Sequence, residues 1–295
     1  MFVSIRDEIV LPTGFDSVHE ALTFYDLRAV EMAVQKDYSV HSLNPTPDQP
    51  RLFLDKDDDV EKLIRQTKGS DIKVTAFLLH NDFNAKDLEK ELKWVTRIVE
   101  VAEKVGAPAV RIDTIMSGER DLPLEQRQDM FAKAVQTVLD RTPKSKVGLG
   151  IENHGFQGND PAFLDGLIKR VNSRRLGMTL DVGNFYWSGK PLSEVYRILE
   201  KYAPLTKHTH IKNINYPAEI REQQRALGYE YGKYNCPIPE GDLDMNRIVG
   251  YLKKAGYKND LCIEDESLGK FDVPTRQQHV KAAVAHLKMA IARAK

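Results

Sequence analysis

The sequence predicts a single α/β domain folded as a (β/α)8 TIM barrel with eight parallel strands and outer helices. Eight short apolar runs alternate with longer amphipathic runs, and such alternation is typical of a parallel sheet. The chain has 295 residues, a usual length for one closed barrel. An open doubly wound sheet is the second choice, because no GxGxxG motif follows the first apolar run. With no linker or internal repeat, residues 1–295 are interpreted as one domain.

The predicted strands are short runs rich in branched apolar side chains, as expected for strands buried on both faces. They cover residues 2–5, 29–34, 73–79, 109–113, 147–153, 176–182, 205–211 and 261–265.

The predicted helices repeat apolar residues at three- and four-residue steps. The clearest covers 85–106, with Leu92, Val95 and Val99 on one face and Gly106 as a stop signal. The acidic run 55–62 is interpreted as a solvated helix start. The remaining helices are predicted over 124–142, 160–172, 191–202, 243–257 and 274–294.

The longest stretch without periodicity is 213–242, which carries four tyrosines and follows the seventh strand. A long irregular segment in a compact domain usually has a function. We therefore expect this loop to be a lid over the barrel mouth or a contact in a homo-oligomer.

Composition excludes several classes of protein. Lysine plus arginine equals aspartate plus glutamate, 43 each, whereas a nucleic-acid partner usually requires a basic excess. No apolar run approaches the ~20 residues of a membrane span, and the first residues do not form a signal peptide. Cys236 and Cys262 form no CxxC pair. We expect a cytoplasmic protein without nucleic-acid or membrane partners.

Ionisable side chains stand at the ends of four successive predicted strands. In a barrel of this type, reactive groups lie at the carboxyl ends of the strands. Alternate side chains of each strand point inward, so the four should meet in the mouth. They are Glu152 in "GIENHG", Asp181 in "TLDVGN", His210 in "HTHIKN" and Glu264 in "CIEDES".

Three converging carboxylates repel one another unless a cation lies between them. Three carboxylates and one imidazole suit Mn²⁺, Mg²⁺ or Co²⁺ better than a thiolate-rich zinc site does. The sequence therefore predicts a divalent metal ion, with manganese favoured and magnesium, cobalt or zinc possible.

The motifs "IENHG", "LDVGN", "HTHIKN" and the "PIPEGDLDMNRIVGYLKKAGY…LCIED" ending together resemble the xylose-isomerase-like sugar phosphate isomerase/epimerase superfamily, which includes endonuclease IV. The resemblance covers roughly residues 70–270. It implies that Glu152, Asp181, His210 and Glu264 are metal ligands, and that the two glutamates are the catalytic residues that exchange a proton with the substrate. Asn184 and Tyr216 depart from the ketose 3-epimerase branch, where histidine and arginine are common.

Other polar or aromatic residues are predicted to surround the same mouth. His208 lies one pleat below His210 and is interpreted as a support for it or as a hydrogen-bonded core residue. Glu31, inside the second strand, is a candidate substrate-side acid. The predicted substrate-binding residues, each with packing or a structural ion pair as the alternative, are His80, Arg111, His154, Trp187, Lys212 and Glu266.

These predictions favour a metal-dependent isomerase or epimerase that acts on a sugar or keto-sugar through an enediolate. A lyase or dehydratase uses the same groups if a leaving group lies β to the carbanion. An endonuclease IV-like phosphodiesterase is disfavoured, because only eight histidines are present and several fall on outer helices. A non-enzymatic sugar-binding barrel is the remaining alternative.

Overall fold

A ring of eight parallel strands forms the centre of the computed structural model, which describes residues 1–294. Hydrogen bonding runs in chain order from β1 to β7, and β8 pairs with β1. Between β7 and β8, the amide of Ile211 donates to Cys262 O at 2.8 Å and the amide of Glu264 donates to Ile211 O at 2.9 Å, which closes the ring. The strands are β1 Phe2–Arg6, β2 Ala29–Ala33, β3 Lys73–Leu78, β4 Ala109–Ile112, β5 Gly148–Glu152, β6 Leu176–Asp181, β7 Thr206–His210 and β8 Asp260–Ile263.

The predicted barrel and its eight strands are confirmed, with ends that differ by one or two residues. Strands β2, β4, β5, β6 and β8 are buried along their whole length, because one face lines the barrel and the other packs under the helices. This explains why they read as continuous apolar runs in the sequence.

The helices form the outer layer, and the six predicted ones are all present. The helix predicted from residue 85 begins three residues later, because the side chain of Asp87 accepts a hydrogen bond from the amide of Lys90 at 3.0 Å and caps the first turn. Gly106 ends it with φ 85°, as expected. The α-helices are Asp7–Val10, Val18–Phe24, Asp57–Ser70, Leu88–Val105, Leu124–Arg141, Pro161–Val171, Asn184–Trp187, Leu192–Tyr202, Tyr231–Tyr234, Met245–Lys254 and Val273–Arg293.

A β-hairpin between β2 and the helix Asp57–Ser70 is absent from the sequence predictions. Its strands are Ser39–Thr46 and Gln49–Phe53, paired antiparallel. Pro45 and Pro50 interrupt the apolar pattern, so periodicity gives no signal here.

The segment 213–242 is more ordered than its sequence suggests. Strands Asn213–Ile214 and Asn235–Cys236 pair antiparallel at its base. The Asn213 side chain donates to Ile238 O at 2.9 Å and accepts from the amide of Leu243 at 3.0 Å. Side-chain hydrogen bonds of this kind are invisible to a search for periodicity. Most of the segment nevertheless lies outside regular helices and strands. Its role as a lid or oligomer contact stays a prediction.

Within residues 1–294, no helix is both long enough and apolar enough to cross a membrane.

Candidate active site

The carboxyl ends of β5 to β8 bring the four predicted ligands together. Glu152, Asp181 and His210 are the last residues of β5, β6 and β7, and Glu264 follows β8. One ligand atom from each lies within 4.8 Å of all the others, and each residue is at most 3% exposed. The strand-end alternation read from the sequence therefore predicts this convergence correctly.

The imidazole of His210 is oriented by a carboxylate on its far side. Its Nε2 lies 2.9 and 3.0 Å from the two carboxylate oxygens of Glu31. Its Nδ1 has no hydrogen-bond partner and lies 3.4 Å from both Glu152 Oε1 and Glu264 Oε2. Once its Nδ1 proton is lost, an imidazole that donates Nε2–H to Glu31 presents the lone pair of Nδ1 to the centre of the cluster.

Asp181 is held by the chain around it. Its Oδ1 accepts hydrogen bonds from the amides of Gly183 and Asn184 at 2.8 and 2.9 Å. Its main chain is fixed by Asn153, whose side-chain oxygen accepts from the amide of Asp181 at 2.9 Å. Its Oδ2 makes no well-aligned hydrogen bond and lies 2.9 Å from Lys212 Nζ. One carboxylate oxygen is thus left to face the other ligands.

Each of the two glutamates is paired with an arginine. Arg111 forms a two-nitrogen ion pair with Glu152, and its Nη1 also donates to Leu79 O at 2.6 Å. Arg6, at the end of β1, donates to Glu264. Sequence reasoning missed Arg6, which lies one residue beyond the predicted first strand, residues 2–5. Its position at the end of the first strand was the available signal.

A second polar layer lies beneath the cluster. His208 Nδ1 lies 3.0 Å from Asp260 Oδ1, and its Nε2 lies 3.0 Å from Glu31 Oε1. The structure therefore places Glu31 below His210, fully buried, rather than at the substrate side of the mouth. His208 fits both interpretations of its sequence position. It is a hydrogen-bonded core residue, and it also contacts Glu31, the carboxylate that orients His210.

On one side of the mouth, two predicted substrate-binding histidines share one carboxylate. Asp113 follows β4 and lies 3.1 Å from His154 Nδ1 and 3.4 Å from His80 Nδ1. Arg111 Nη1 donates to the same carboxylate at 3.1 Å, so the guanidinium of Arg111 is hydrogen-bonded to two carboxylates and a carbonyl. His80 is largely exposed and His154 is partly exposed, so both rings remain accessible from the mouth.

On the other side, Lys212 joins the cluster to the segment 213–242. Its ammonium, 4% exposed as a residue, lies 3.2 Å from Glu264 Oε2 and 3.0 Å from Glu266 Oε1. The hydroxyl of Tyr231 donates to Glu266 Oε2 at 2.5 Å. Trp187 contacts the same segment elsewhere, with its carbonyl accepting from the amide of Gly228 at 2.9 Å. The substrate contacts predicted for these residues stay predictions.

The pKa values of the two glutamates are lowered in this site, whereas those of Asp181 and His210 are raised. Burial opposes ionisation of Glu152, but the charges of Arg111 and His210 outweigh it and lower the pKa of Glu152. Burial likewise opposes ionisation of Glu264, but the charges of His210, Lys212 and Arg6 outweigh it and lower the pKa of Glu264. Burial raises the pKa of Asp181 to about 8, and the charges of Glu264 and Glu152 add to this against the attraction of Lys212. The pKa of His210 rises to about 10, because Glu264, Glu31 and Glu152 outweigh its burial.

The donor set fits a divalent cation. Oxygen and imidazole ligands suit hard or borderline divalent ions, and His210 Nδ1 and Asp181 Oδ2 are buried polar atoms without hydrogen bonds. Three cationic side chains, Arg6, Arg111 and Lys212, contact seven carboxylates in and around this site. These are Glu8, Glu31, Asp113, Glu152, Asp181, Glu264 and Glu266.

Two further candidate clusters contain acids and His or Cys side chains among the described residues. One combines Glu31 with both histidines, and the other combines His208 with Asp260 and Cys262. The side chains of these two clusters are largely hydrogen-bonded to one another, so the cluster in the mouth is the better candidate metal site.

Comparison with known proteins agrees with this fold. Inosose dehydratase of Serratia proteamaculans (strain 568) is 28% identical over 109 residues, a match that spans 36% of this chain and 36% of that protein. The solved structure of the IolI protein with a bound zinc atom has a TM-score of 0.73 at 14% identity, covering 100% of this chain and 99% of that one. An L-ribulose 3-epimerase structure has a TM-score of 0.68 at 14% identity, covering 100% and 96%.

At these identities the structural likeness establishes the fold alone. The family assignment comes from residues 25–290, which match the family described as xylose isomerase-like TIM barrel. The match covers most of the chain, including the four strand ends that build the site. The chain therefore belongs to the xylose isomerase-like TIM barrel family.

Proposed function

We propose that this protein is a divalent-metal-dependent isomerase or epimerase that acts on a sugar or keto-sugar through an enediolate. The observation that carries the proposal is the buried set of three carboxylates and one imidazole, with ligand atoms within 4.8 Å of one another. A bound divalent cation would supply Lewis acidity toward a carbonyl and an adjacent hydroxyl of the substrate. Glu152, Asp181, His210 and Glu264 would hold it.

Glu152 and Glu264 are the proposed proton-transfer groups. Both lie 3.4 Å from His210 Nδ1, one from β5 and one from β8, so they flank the same point. Their lowered pKa values keep both carboxylates ionised and so able to accept a proton.

Lys212 is the proposed stabiliser of negative charge on the enediolate oxygen. Its pKa is raised well above the usual value, because Asp181, Glu264 and Glu266 outweigh its burial, so it remains an ammonium ion. A buried cation near a developing oxyanion stabilises it more than an exposed one would. Tyr231 covers this side of the site through Glu266 and would help to exclude water.

A dehydratase is the second candidate. His154 holds Asp113 through Nδ1 at 3.1 Å, and no residue among 1–294 hydrogen-bonds its Nε2. An imidazole oriented by a carboxylate in this way can protonate a departing hydroxyl group, which epimerisation does not need. The partial match to an inosose dehydratase favours the same possibility.

Metal content tests the proposal first. Elemental mass spectrometry of the purified protein should find about one divalent ion per chain, lost in His210→Ala and Glu152→Gln. Manganese is the expected ion, with zinc, cobalt and magnesium as the other outcomes. Glu61→Gln, on the outer helix Asp57–Ser70, is the control and should retain the metal. A wild-type protein that neither contains nor accepts a divalent ion would refute the proposal.

Turnover then separates the two candidates. A panel of ketoses and cyclic polyhydroxy ketones is incubated in D₂O and followed by NMR. Exchange of a C–H beside the carbonyl, without loss of a hydroxyl group, supports an isomerase or epimerase. Loss of a hydroxyl group supports a dehydratase, and His154→Gln should then abolish elimination while preserving C–H exchange.

A further inference from the structure

Cations at the beginnings of four successive strands lie on the face of the barrel opposite the mouth. The loops that precede β5, β6 and β8 each carry at least one lysine or arginine, and β7 carries a lysine as its second residue. The five side chains that line one cavity there are Lys146, Arg174, Arg175, Lys207 and Lys258. The cavity has a volume of about 610 Å³, within the range of small-molecule sites.

No carboxylate lines this cavity. Within residues 1–294, none of the five cations forms an ion pair, although the whole chain has as many acids as bases. The remaining lining is neutral and includes Pro108, Pro204 and Tyr257. A group of unpaired cations around a concave surface creates a local positive potential.

Two of the cations are partly buried, and burial disfavours their charged forms. Burial lowers the pKa of Lys207, and burial lowers that of Arg175 despite the charge of Glu103, whose carboxylate accepts a hydrogen bond from the amide of Lys146 at 2.9 Å. Lys207 Nζ donates to Arg174 O at 2.8 Å, and Arg175 Nη1 donates to Thr142 O at 2.6 Å. These carbonyls accept some of the hydrogen bonds that Lys207 and Arg175 can donate, but they carry no negative charge to neutralise the two cations.

The backbone makes room for one of these buried cations. A Cβ added at Gly177 would lie 2.8 Å from Lys207 Cε and 2.0 Å from Leu205 O, and one at Gly148 would lie 3.1 Å from Lys207 Cδ. The stem of Lys207 therefore runs across two glycines at the amino ends of β5 and β6. The Lys207 side chain is therefore held in one direction, toward the cavity, and does not move freely on the surface.

We propose that this cavity is a binding site for a small molecule that carries two or more phosphate groups. A phosphate group concentrates up to two negative charges and three acceptor oxygens in a small volume, which suits several cations around one cavity. A recessed cavity and a net charge of zero favour a small ligand over a nucleic acid, which needs an extended basic surface. The site is separate from the proposed active site.

The test is calorimetric titration of the full-length protein with inorganic pyrophosphate. We expect binding of one pyrophosphate per chain, at least about tenfold weaker in the triple variant K146Q/R174Q/K258Q, since charge-assisted contacts are the strong ones. The matched control is K90Q/K133Q/K169Q, which removes the same charge from three exposed lysines of outer helices and should bind as the wild type does.

Pyrophosphate also binds divalent cations, so the titration is repeated on His210→Ala, where binding should persist. Hydrogen exchange provides an independent measurement, in which pyrophosphate should protect residues 143–147 and 256–259. Absence of binding, equal binding by the K146Q/R174Q/K258Q variant, loss of binding in folded His210→Ala, or tighter binding of a DNA duplex than of pyrophosphate would each overturn the proposal.

Discussion

Glu31 Oε2 lies 2.9 Å from His210 Nε2, and both side chains are fully buried. The contact joins the middle of β2 to the end of β7, across the inside of the barrel. It fixes which imidazole nitrogen faces the three other ligands. The geometry of the proposed metal site therefore depends on a residue that is not itself one of its ligands.

Replacing Glu31 with glutamine should weaken metal binding by about 10- to 100-fold, because the amide no longer orients and polarises the imidazole. Affinity is measured by competition with a chromophoric chelator. Glu266→Gln removes a carboxylate that does not contact His210 and should change affinity much less. Equal affinities of folded Glu31→Gln and wild type would show that Glu31 does not position the ligand.

Replacing Arg111 with methionine should lower the free energy of unfolding by about 3–5 kcal/mol, because Glu152 would remain buried without its cation. Urea unfolding measures the change, with metal removed from both proteins. The double variant Arg111→Met/Glu152→Gln should recover part of the loss. Arg174→Met, an exposed arginine without an ion pair, should change stability by less than about 0.5 kcal/mol. If Arg111→Met is as mild as this control, the ion pair does not stabilise the fold.

Asp113→Asn should destabilise the protein at neutral pH by about 1–3 kcal/mol, and the difference from wild type should disappear in acid. Burial opposes ionisation of Asp113, but Arg111, His154 and His80 outweigh it and lower the pKa well below its usual value. A lowered folded-state pKa stabilises the protein fully above the unfolded-state pKa of about 4, and that stabilisation is lost as the pH falls through the folded-state pKa.

Thermal melts of the wild type and Asp113→Asn over a pH series provide this measurement. Asp129→Asn, on an outer helix, provides the control, since its carboxylate is about half exposed. A stability difference between Asp113→Asn and wild type that grows on acidification would contradict the assignment.

Tyr231→Phe should raise KM by roughly tenfold while leaving the melting temperature within about 1 °C, if the segment 213–242 acts as a lid. The hydroxyl of Tyr231 donates a hydrogen bond from this segment to the carboxylate of Glu266, which in turn contacts Lys212. Steady-state kinetics on the substrate found in the NMR panel measure the change. Tyr251→Phe, on the outer helix Met245–Lys254, is the matched control, because it also removes one tyrosine hydroxyl. Unchanged kinetics in Tyr231→Phe would favour the alternative role as an oligomer contact.

The sequence by itself determined the barrel and the convergence of Glu152, Asp181, His210 and Glu264. Both follow from local information, because strand alternation sets the direction of each side chain and parallel strands end at one face. Helix caps also act locally, as at Asp87, although the observed helix bounds differ from the predicted ones by up to three residues.

Only the tertiary structure decided which groups surround those four. Arg6 reaches Glu264 across 258 positions of sequence, and Glu31 reaches His210 across 179. No local pattern records such pairings, since they arise when β1 and β2 close against β7 and β8. The same closure sets the burial of the site, and burial with these distant charges decides which side chains carry a proton.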